Sequence, residues 1–278
     1  MTLPTLWARK RSLVGRLTGN AYSEHDLLRM EPQYAWLFLF HGNGYVRQTA
    51  LDTISAPPRS PFFLAGLIWR LNDWVLPVRQ AAKRCFERIL SLIDPGFAAD
   101  AVVALLTRSQ SWGRWTEEKQ IFFAVLARDD VAAELAKRLR LSVRGKLAAC
   151  LRIALRHPSI DKHLPTLADR AIEPAVRALA LRCLIARSAT WVAGYSWIWV
   201  DKIYGQRRRV LTFDSRPLAI ASDPEKWIAN GVRDRSSAVR WVAAGELMRL
   251  QPAIPDADQL IDRLARDRSP SIDRKSVV

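Results

Sequence analysis

The sequence predicts an all-α protein built as an α-solenoid of about seven helical pairs that wind into a right-handed superhelix. The main observation is a Val-Arg pair that recurs along the 278 residues at a nearly constant interval. Successive copies lie 32 or 33 residues apart, or about twice that distance, and a fixed period of this size is the signature of a solenoid. The copies are Val46-Arg47, Val78-Arg79, Val143-Arg144, Val176-Arg177 and Val239-Arg240, with a degenerate Ile272-Asp273 near the end.

The clearest copy, Asp234–Leu250, shows why each pair is expected to begin a helix. Val239, Ala243 and Leu247 are spaced by four residues, which places them on one face of a helix as an apolar stripe. Asp234 lies five residues before Val239, in the predicted turn, where a carboxylate can accept backbone N–H bonds. One period has room for two helices and two turns, so each repeat is interpreted as a helical pair.

The motif of this copy, Asp-x4-Val-Arg-x2-Ala-x3-Leu, resembles the HEAT-repeat family, in particular its short bacterial HEAT-like repeats. The resemblance covers most of residues 31–278, while residues 1–30 are interpreted as a basic N-terminal arm and a capping helix. In HEAT-like repeats this arginine commonly bonds a turn acid of its own or a neighbouring repeat. The resemblance therefore implies structural roles for Arg47, Arg79, Arg144, Arg177 and Arg240, with Asp73 and Asp234 among the acids. HEAT-like proteins serve many functions, so the resemblance implies little about activity.

The period breaks in residues 195–214, YSWIWVDKIYGQRRRVLTFD. Residues 197–200 and 210–213 are rich in β-formers, and a turn at Gly205 separates them, which predicts a β-hairpin inserted into the helical array. A degenerate repeat is the alternative. Insertions of this kind tend to map to one face of a solenoid, which is often the binding face.

The predicted hairpin supplies the main candidate binding residues. Basic side chains beside aromatic ones can hold phosphates and stack on bases. The alternative is that the tryptophans pack on the solenoid while the arginines stay solvated. The candidates are Trp197, Trp199, Lys202, Tyr204, Arg207, Arg208 and Arg209.

A second departure from the motif lies in residues 108–126, where no Val-Arg pair occurs. The loop before the predicted helix carries Trp112, Arg114 and Trp115, and Glu117 and Glu118 follow. Aromatic residues and an arginine beside carboxylates form a second candidate site. The alternative is a bulky repeat turn whose tryptophans pack on a neighbouring element.

The charge of the chain indicates its class of partner. A formal net charge of +16 and an isoelectric point near 10.5 favour a polyanion such as nucleic acid, or an anionic membrane surface. Much of the excess is arginine, which forks onto phosphates and stacks on bases. The repeat arginines are interpreted as structural, so the groove is expected to be charged by others, such as Arg182 and Arg187.

The three cysteines, Cys85, Cys150 and Cys183, each fall seven residues after a repeat valine, on the predicted core face. They are therefore interpreted as small core hydrophobes rather than disulfide or metal ligands. No cofactor or metal is expected, and His157 and His163 lack a third ligand nearby in the sequence. With no signal peptide and no run of 18 apolar residues, the expectation is a cytoplasmic protein without a membrane span.

Three functions remain open from the sequence. The first is a non-enzymatic scaffold that binds DNA or RNA through a basic concave face and the Trp/Arg-rich insertion. The second is a protein–protein adaptor for an acidic partner, since solenoids offer large concave surfaces. The third follows from the resemblance, because one HEAT-like family consists of DNA glycosylases that excise alkylated bases with tryptophans and a carboxylate. Trp112, Trp115 and Glu117 or Glu118 would then be the equivalent residues. No Ser-His-Asp, Cys-His, Walker or zinc pattern is present.

Overall fold

The computed structural model describes residues 23–115, 117–250, 254 and 256–269. Within these ranges the chain is mostly helical, with one two-stranded antiparallel sheet, which confirms the predicted helical fold with an inserted hairpin. The helices are α1 Glu24–Met30, α2 Ala35–Phe38, α3 Gly44–Thr53, α4 Pro61–Arg70, α5 Leu76–Ile89, α6 Pro95–Leu105, α7 Glu118–Ala127, α8 Asp129–Leu141, α9 Leu147–Ala154, α10 Leu164–Arg170, α11 Pro174–Ala186, α12 Pro224–Val232, α13 Ser237–Leu250 and α14 Ala257–Ala265. The strands are β1 Ser188–Asp201 and β2 Gln206–Pro217.

The predicted helix starts follow ordinary capping chemistry. The Ser23 hydroxyl accepts a bond from the Asp26 N–H, and the Asp26 carboxylate accepts one from the Ser23 N–H, which forms a capping box on α1. Prolines occupy the first turn of several helices, where the missing N–H costs no intrahelical bond. The predicted arm, residues 1–22, lies outside the described residues.

The chain divides into two compact units. The first comprises the described parts of residues 1–101 and 108–125. Inside it, α3 packs on α5, and α4 also packs on α5. The apolar stripe positions that follow Val46 and Val78 are buried, as the repeat pattern predicts: Ala50, Ile54, Ala82 and Phe86.

The second unit comprises residues 102–107 and the described parts of residues 126–278. Its helices α9, α11 and α13 pack in sequence on one another, while α10 and α12 pack against α11 and α13. The stripes of α11 and α13 are buried, at Val176, Ala180, Leu184, Val239, Ala243 and Leu247. Helices therefore pair and stack as expected inside this unit, whereas the seven-pair solenoid and its right-handed winding stay predictions.

One copy of the motif departs from the pattern. Val143 is 61% exposed, and Arg144 is exposed beside it, because α9 begins only at Leu147. Gly145 has a φ of +100°, a left-handed conformation that interrupts the helix start after the pair. The apolar stripe of this repeat consequently begins at Leu147 rather than at Val143.

The hairpin is longer than predicted. It occupies residues 188–217 rather than 195–214, because β1 begins directly after α11. Arg187 ends that helix in a left-handed conformation, with a φ of 54°, and its carbonyl accepts a bond of 3.1 Å from the Leu218 N–H. This bond closes the base of the hairpin across its two ends.

Candidate nucleic-acid interface

The base of the hairpin is anchored to the helices by Arg216. Its guanidinium donates to both oxygens of the Asp161 carboxylate, at 2.7 and 2.8 Å, and to the carbonyls of Leu155 and His157. Asp161 is completely buried and also accepts a bond from the Ala219 N–H. The charge of Asp161 is thus fully paired, and the fork of Arg216 fixes the base of the hairpin.

Two further contacts hold the first residues of β1. Arg156 donates from Nη2 to the carbonyl of Val192 at 2.6 Å, and its guanidinium lies 6.0 Å from the ring centroid of Trp191. Ala189 is completely buried. Burial, together with the charges of Arg216 and Arg156, lowers the pKa of His157 at this anchor.

Beyond the anchor, the hairpin projects away from the helices. Among the described residues, no hydrogen bond or ion pair joins residues 195–213 to a helix. The large side chains of this part are exposed on both faces of the ribbon, including Tyr195, Trp197, Ile198, Trp199, Val200, Ile203, Tyr204, Leu211 and Phe213. Trp197 and Trp199 are therefore not packed on the helices that the structure describes, which was the alternative interpretation of the sequence.

The strand register places the aromatic and basic residues on one face. Trp197 is paired with Arg209 and Trp199 with Arg207, and side chains of paired residues lie on the same side of a sheet. Tyr195 is two residues before Trp197, so it belongs to the same face. We refer to Tyr195, Trp197, Trp199, Arg207 and Arg209 as the aromatic–basic face.

Two of the three rings on this face already carry a guanidinium. The Arg207 Cζ lies 3.8 Å from the ring centroid of Trp199, and the Arg209 Cζ lies 3.7 Å from that of Tyr195. Trp197, between them, is 65% exposed and has no ring or cation partner within the described residues. Cation–π contacts of this length orient the arginines without using their N–H groups.

The tip of the hairpin is strongly basic. Residues 195–213 contain Lys202, Arg207, Arg208 and Arg209 but only one carboxylate, Asp201. That carboxylate accepts bonds from the Ile203 and Tyr204 N–H groups, at 2.8 and 3.1 Å, and so shapes the turn. The four cations consequently have no carboxylate partner among the described residues.

A groove lies on the stacked second helices of the second unit. Helices α9, α11 and α13 line this open groove, which has a volume of about 530 Å³ and a floor of small and apolar side chains. Arg152, Arg182 and Trp241 line it, and the Arg182 Nε lies 3.8 Å from Glu246. Arg182 was expected in such a groove, whereas Arg187 bonds the Ser222 carbonyl at the end of α11.

In the first unit, the two tryptophans of the second candidate site are in contact but differ in burial. The ring of Trp112 lies 4.8 Å from that of Trp115 and 6.0 Å from that of Trp69. Trp115 is only 6% exposed and packs on Phe122 and Phe123. Trp115 is thus a core residue, as the packing alternative expected, and Trp112 is half-buried above it.

The other residues of that site also have structural contacts. The backbone N–H of Arg114 donates to Asn72 Oδ1 at 3.1 Å. Glu118 is 7% exposed, with its Oε1 3.6 Å from the Arg79 Nε, whereas Glu117 is exposed and 4.0 Å from the Lys83 ammonium. Since Trp115 and Glu118 are buried, neither presents a free surface to a flipped base.

The repeat arginines form a ladder between successive turns. Arg47 bonds both oxygens of Asp73, Arg177 both oxygens of Asp234, and Arg240 both oxygens of Asp267, at 2.6–3.0 Å. Each also donates to a carbonyl six residues before it, in the turn of its own repeat. The acids in turn accept the N–H two residues later, as in Asp73 with Val75.

Two copies of the arginine behave differently. Arg79 keeps the bond to a carbonyl six residues back, that of Asp73, but meets Glu118 instead of a turn aspartate. Arg144 is exposed and has no hydrogen bond or ion pair among the described residues.

At Asp73, burial acts to raise the pKa, but the hydrogen bonds from Arg47, Val75 and Arg70 outweigh it and lower the pKa.

No model of a known protein family matches the chain, and no curated protein matches it.

Within the described ranges, no group of three or more His, Cys, Asp or Glu residues is placed to hold a metal ion. None of the helices described here combines the length and the apolar character needed to cross a bilayer.

Proposed function

We propose that the protein is a non-enzymatic scaffold of HEAT-like repeats that binds nucleic acid, and that the projecting hairpin is its main binding element. The observation that supports this most directly is the aromatic–basic face, which is exposed and uncovered by any helix of the described chain. On this face, arginines that can bind phosphates lie beside aromatic rings that can stack on bases. A net charge of +16 favours the same class of partner.

The hairpin has the features of a contact element rather than of a structural one. A two-stranded hairpin is at best marginally stable alone in water, and clustered exposed aromatic residues usually mark an interaction site. Here the base is fixed by Arg216 and Asp161, so the tip is held out at a defined place. An anchored arm of this kind loses less conformational entropy on binding than a free loop.

The groove on α9, α11 and α13 is proposed as a secondary contact. Arg152 and Arg182 give it positive charge, and Trp241 gives it an aromatic wall. It belongs to the same unit as the hairpin, whose base packs on α9 and α11. A long nucleic acid held at the hairpin would therefore find further cations within this unit.

An acidic protein is the second candidate partner. The observation in its favour is that the hairpin exposes apolar side chains as well as cations, since Ile203 is 90% and Phe213 56% exposed. Such residues contribute to protein interfaces through burial, and Trp and Arg are frequent anchors there. Contacts to phosphates do not explain why these apolar side chains are exposed.

The test is fluorescence anisotropy with labelled single- and double-stranded DNA and RNA over a salt series. The variant Arg207→Ala, Arg208→Ala, Arg209→Ala is compared with the wild-type protein. A matched control removes three exposed arginines outside the hairpin: Arg59→Ala, Arg144→Ala, Arg235→Ala. Each lost phosphate contact is expected to reduce the slope of log affinity against log salt by about 0.7–0.9.

The outcomes separate the two candidates. The hairpin variant is expected to bind much more weakly and with a shallower salt slope, while the control keeps the wild-type affinity within a few-fold. An equal loss in both variants would indicate diffuse charge rather than a hairpin site. No binding by the wild-type protein at low salt would rule out nucleic acid and leave the acidic protein partner.

A further inference from the structure

We propose that the hairpin recognises single-stranded nucleic acid by stacking one unpaired base on Trp197, with phosphates held on either side by Arg207 and Arg209. This inference rests on the proposed function and narrows it to a substrate class. Its starting point is the repetition of three rings on one face of β1, at Tyr195, Trp197 and Trp199. Alternate residues of a strand are about 6.6–6.8 Å apart, so the rings form a row.

Among the described residues, Trp197 is the ring of this row that no cation covers. The guanidinium of Arg209 already stacks at 3.7 Å on Tyr195, and that of Arg207 at 3.8 Å on Trp199. A base could not lie on those ring faces without displacing an arginine. Trp197 is 65% exposed and carries no such cover, so its indole is the surface on which a base can stack.

The two stacked arginines are oriented for anions. A guanidinium that lies flat on a ring directs its N–H groups outward along its edge, where a phosphate can accept two of them. Arg207 and Arg209 are two residues apart on β2 and face Trp199 and Trp197 across the register. They therefore flank the open ring, and a strand whose base lies on Trp197 would bring its phosphates towards them.

This arrangement selects an unpaired base. In a duplex the faces of the bases are covered by their neighbours, whereas a single strand can turn a base out onto an aromatic side chain. The indole offers a base its ring face and a single N–H donor, and stacking on a ring face does not distinguish one base from another. Binding should therefore tolerate different sequences, as stacking platforms generally do.

The experiment measures binding of three probes: a single-stranded oligonucleotide, its duplex, and a strand of abasic sites that keeps the phosphates but lacks the bases. Trp197→Ala and Trp197→Phe are compared with the wild-type protein. Trp74→Ala is the matched control, because Trp74 is also exposed, at 70%, but lies in the first unit. Thermal unfolding checks that each variant is folded.

Trp197→Ala is expected to weaken binding to the base-containing single strand by roughly ten-fold or more, the scale of one lost base–aromatic stack. Trp197→Phe should retain most of the affinity because it keeps a ring. Binding of the abasic strand and of the duplex should change little, and the salt slope should be unchanged. Trp74→Ala should match the wild-type protein on every probe.

Two other results would overturn the inference, and they differ in what they mean for the proposed function. If Trp197→Ala weakens no probe, or weakens the duplex and abasic strand equally, base stacking is excluded. The arginine variant would then still show whether nucleic acid is bound through phosphates. If the wild-type protein binds none of the three probes at low salt, the inference and the proposed function both fail.

Discussion

Arg177 and Asp234 are joined by two hydrogen bonds of 2.9 Å although 57 residues separate them, and the whole β-hairpin lies in that interval. The corresponding pairs Arg47–Asp73 and Arg240–Asp267 are only 26 and 27 residues apart. The insertion therefore leaves the contact between successive repeat turns unchanged. The hairpin is added at the end of α11, and the chain then resumes the repeat.

Replacing Arg177 by Met is expected to destabilise the protein by roughly 3–5 kcal/mol, the usual cost of removing one partner of a buried ion pair. Arg177 is 1% exposed, and the change would remove the guanidinium that pairs with the Asp234 carboxylate and bonds the Ala171 and Ile172 carbonyls. Arg144→Met is the control, because that arginine is exposed. Its effect on the free energy of unfolding in urea should stay within about 0.5 kcal/mol. Equal effects of the two changes would contradict the structural role of the ladder.

Shortening the hairpin is expected to leave the fold intact. Replacing residues 196–210 by Asn-Gly would join Tyr195 and Leu211, which are already paired, through a two-residue turn. The removed residues make no bond to the helices of the described chain, so the melting temperature should change little. By contrast, Asp161→Asn removes a buried charge that Arg216 and Ala219 contact, and it should cost roughly 1.5–3 kcal/mol. A large loss of stability in the shortened protein would show that the tip supports the fold.

The sequence predicts the ladder and the hairpin because both depend on local pattern. Val-Arg at a fixed interval identified Arg47, Arg177 and Arg240, which pair with turn aspartates, and β-formers around a glycine turn identified the hairpin. It could not predict that Gly145 would release Arg144 from the ladder, since the pair itself is intact there. Nor could it show that Trp115 is buried while Trp197 is exposed, because neighbouring residues in both stretches are equally aromatic.

Contacts between residues far apart in the chain could not be predicted from the sequence either. The anchor between Arg216 and Asp161 joins residues 55 apart in different elements, and no local pattern connects them. The cation–π contacts of the aromatic–basic face depend on strand register, which the sequence of the turn left undetermined. That register decides which of the three rings an arginine covers.

Gly231→Ala is expected to destabilise the protein by roughly 1–3 kcal/mol, although alanine is the better helix former. A Cβ at this position of α12 would lie 2.6 Å from Leu181 Cδ2 and 2.8 Å from Ala243 Cβ. The leucine end can move, but Ala243 is part of α13, so the helices would have to separate. The control is Gly42→Ala, where no atom lies within 4 Å of the new Cβ. A neutral or stabilising effect of Gly231→Ala, by urea denaturation, would show that α12 can shift freely.

The three cysteines should be inert in the native protein. All are free and buried, as the repeat register predicts, and burial raises the pKa of Cys85 to about 12 and those of Cys150 and Cys183 to about 11. At pH 8 almost no thiolate is present, and the thiolate is the reactive form. Mass spectrometry after maleimide treatment should find no labelled cysteine in the native protein and three after unfolding in guanidinium. Rapid native labelling of any of them would place that side chain outside the core.

Stability should fall between about pH 6.5 and pH 5 because of two histidines. Burial, with the charges of Arg216 and Arg156, lowers the pKa of His157, and burial with Lys162 lowers that of His163. In the unfolded chain both take up protons near pH 6.5, while in the folded protein they remain neutral to a lower pH, so acidification favours unfolding across that interval. The carboxylates with lowered pKa values, such as Asp73 and Asp267, reduce the stability only below about pH 4, where the unfolded chain begins to take up protons at these groups. The free energy of unfolding, measured in urea at pH 7.5, 6.5 and 5.5, should decline less steeply in His157→Gln, His163→Gln than in the wild-type protein. Parallel declines in the two proteins would assign the pH dependence to other groups.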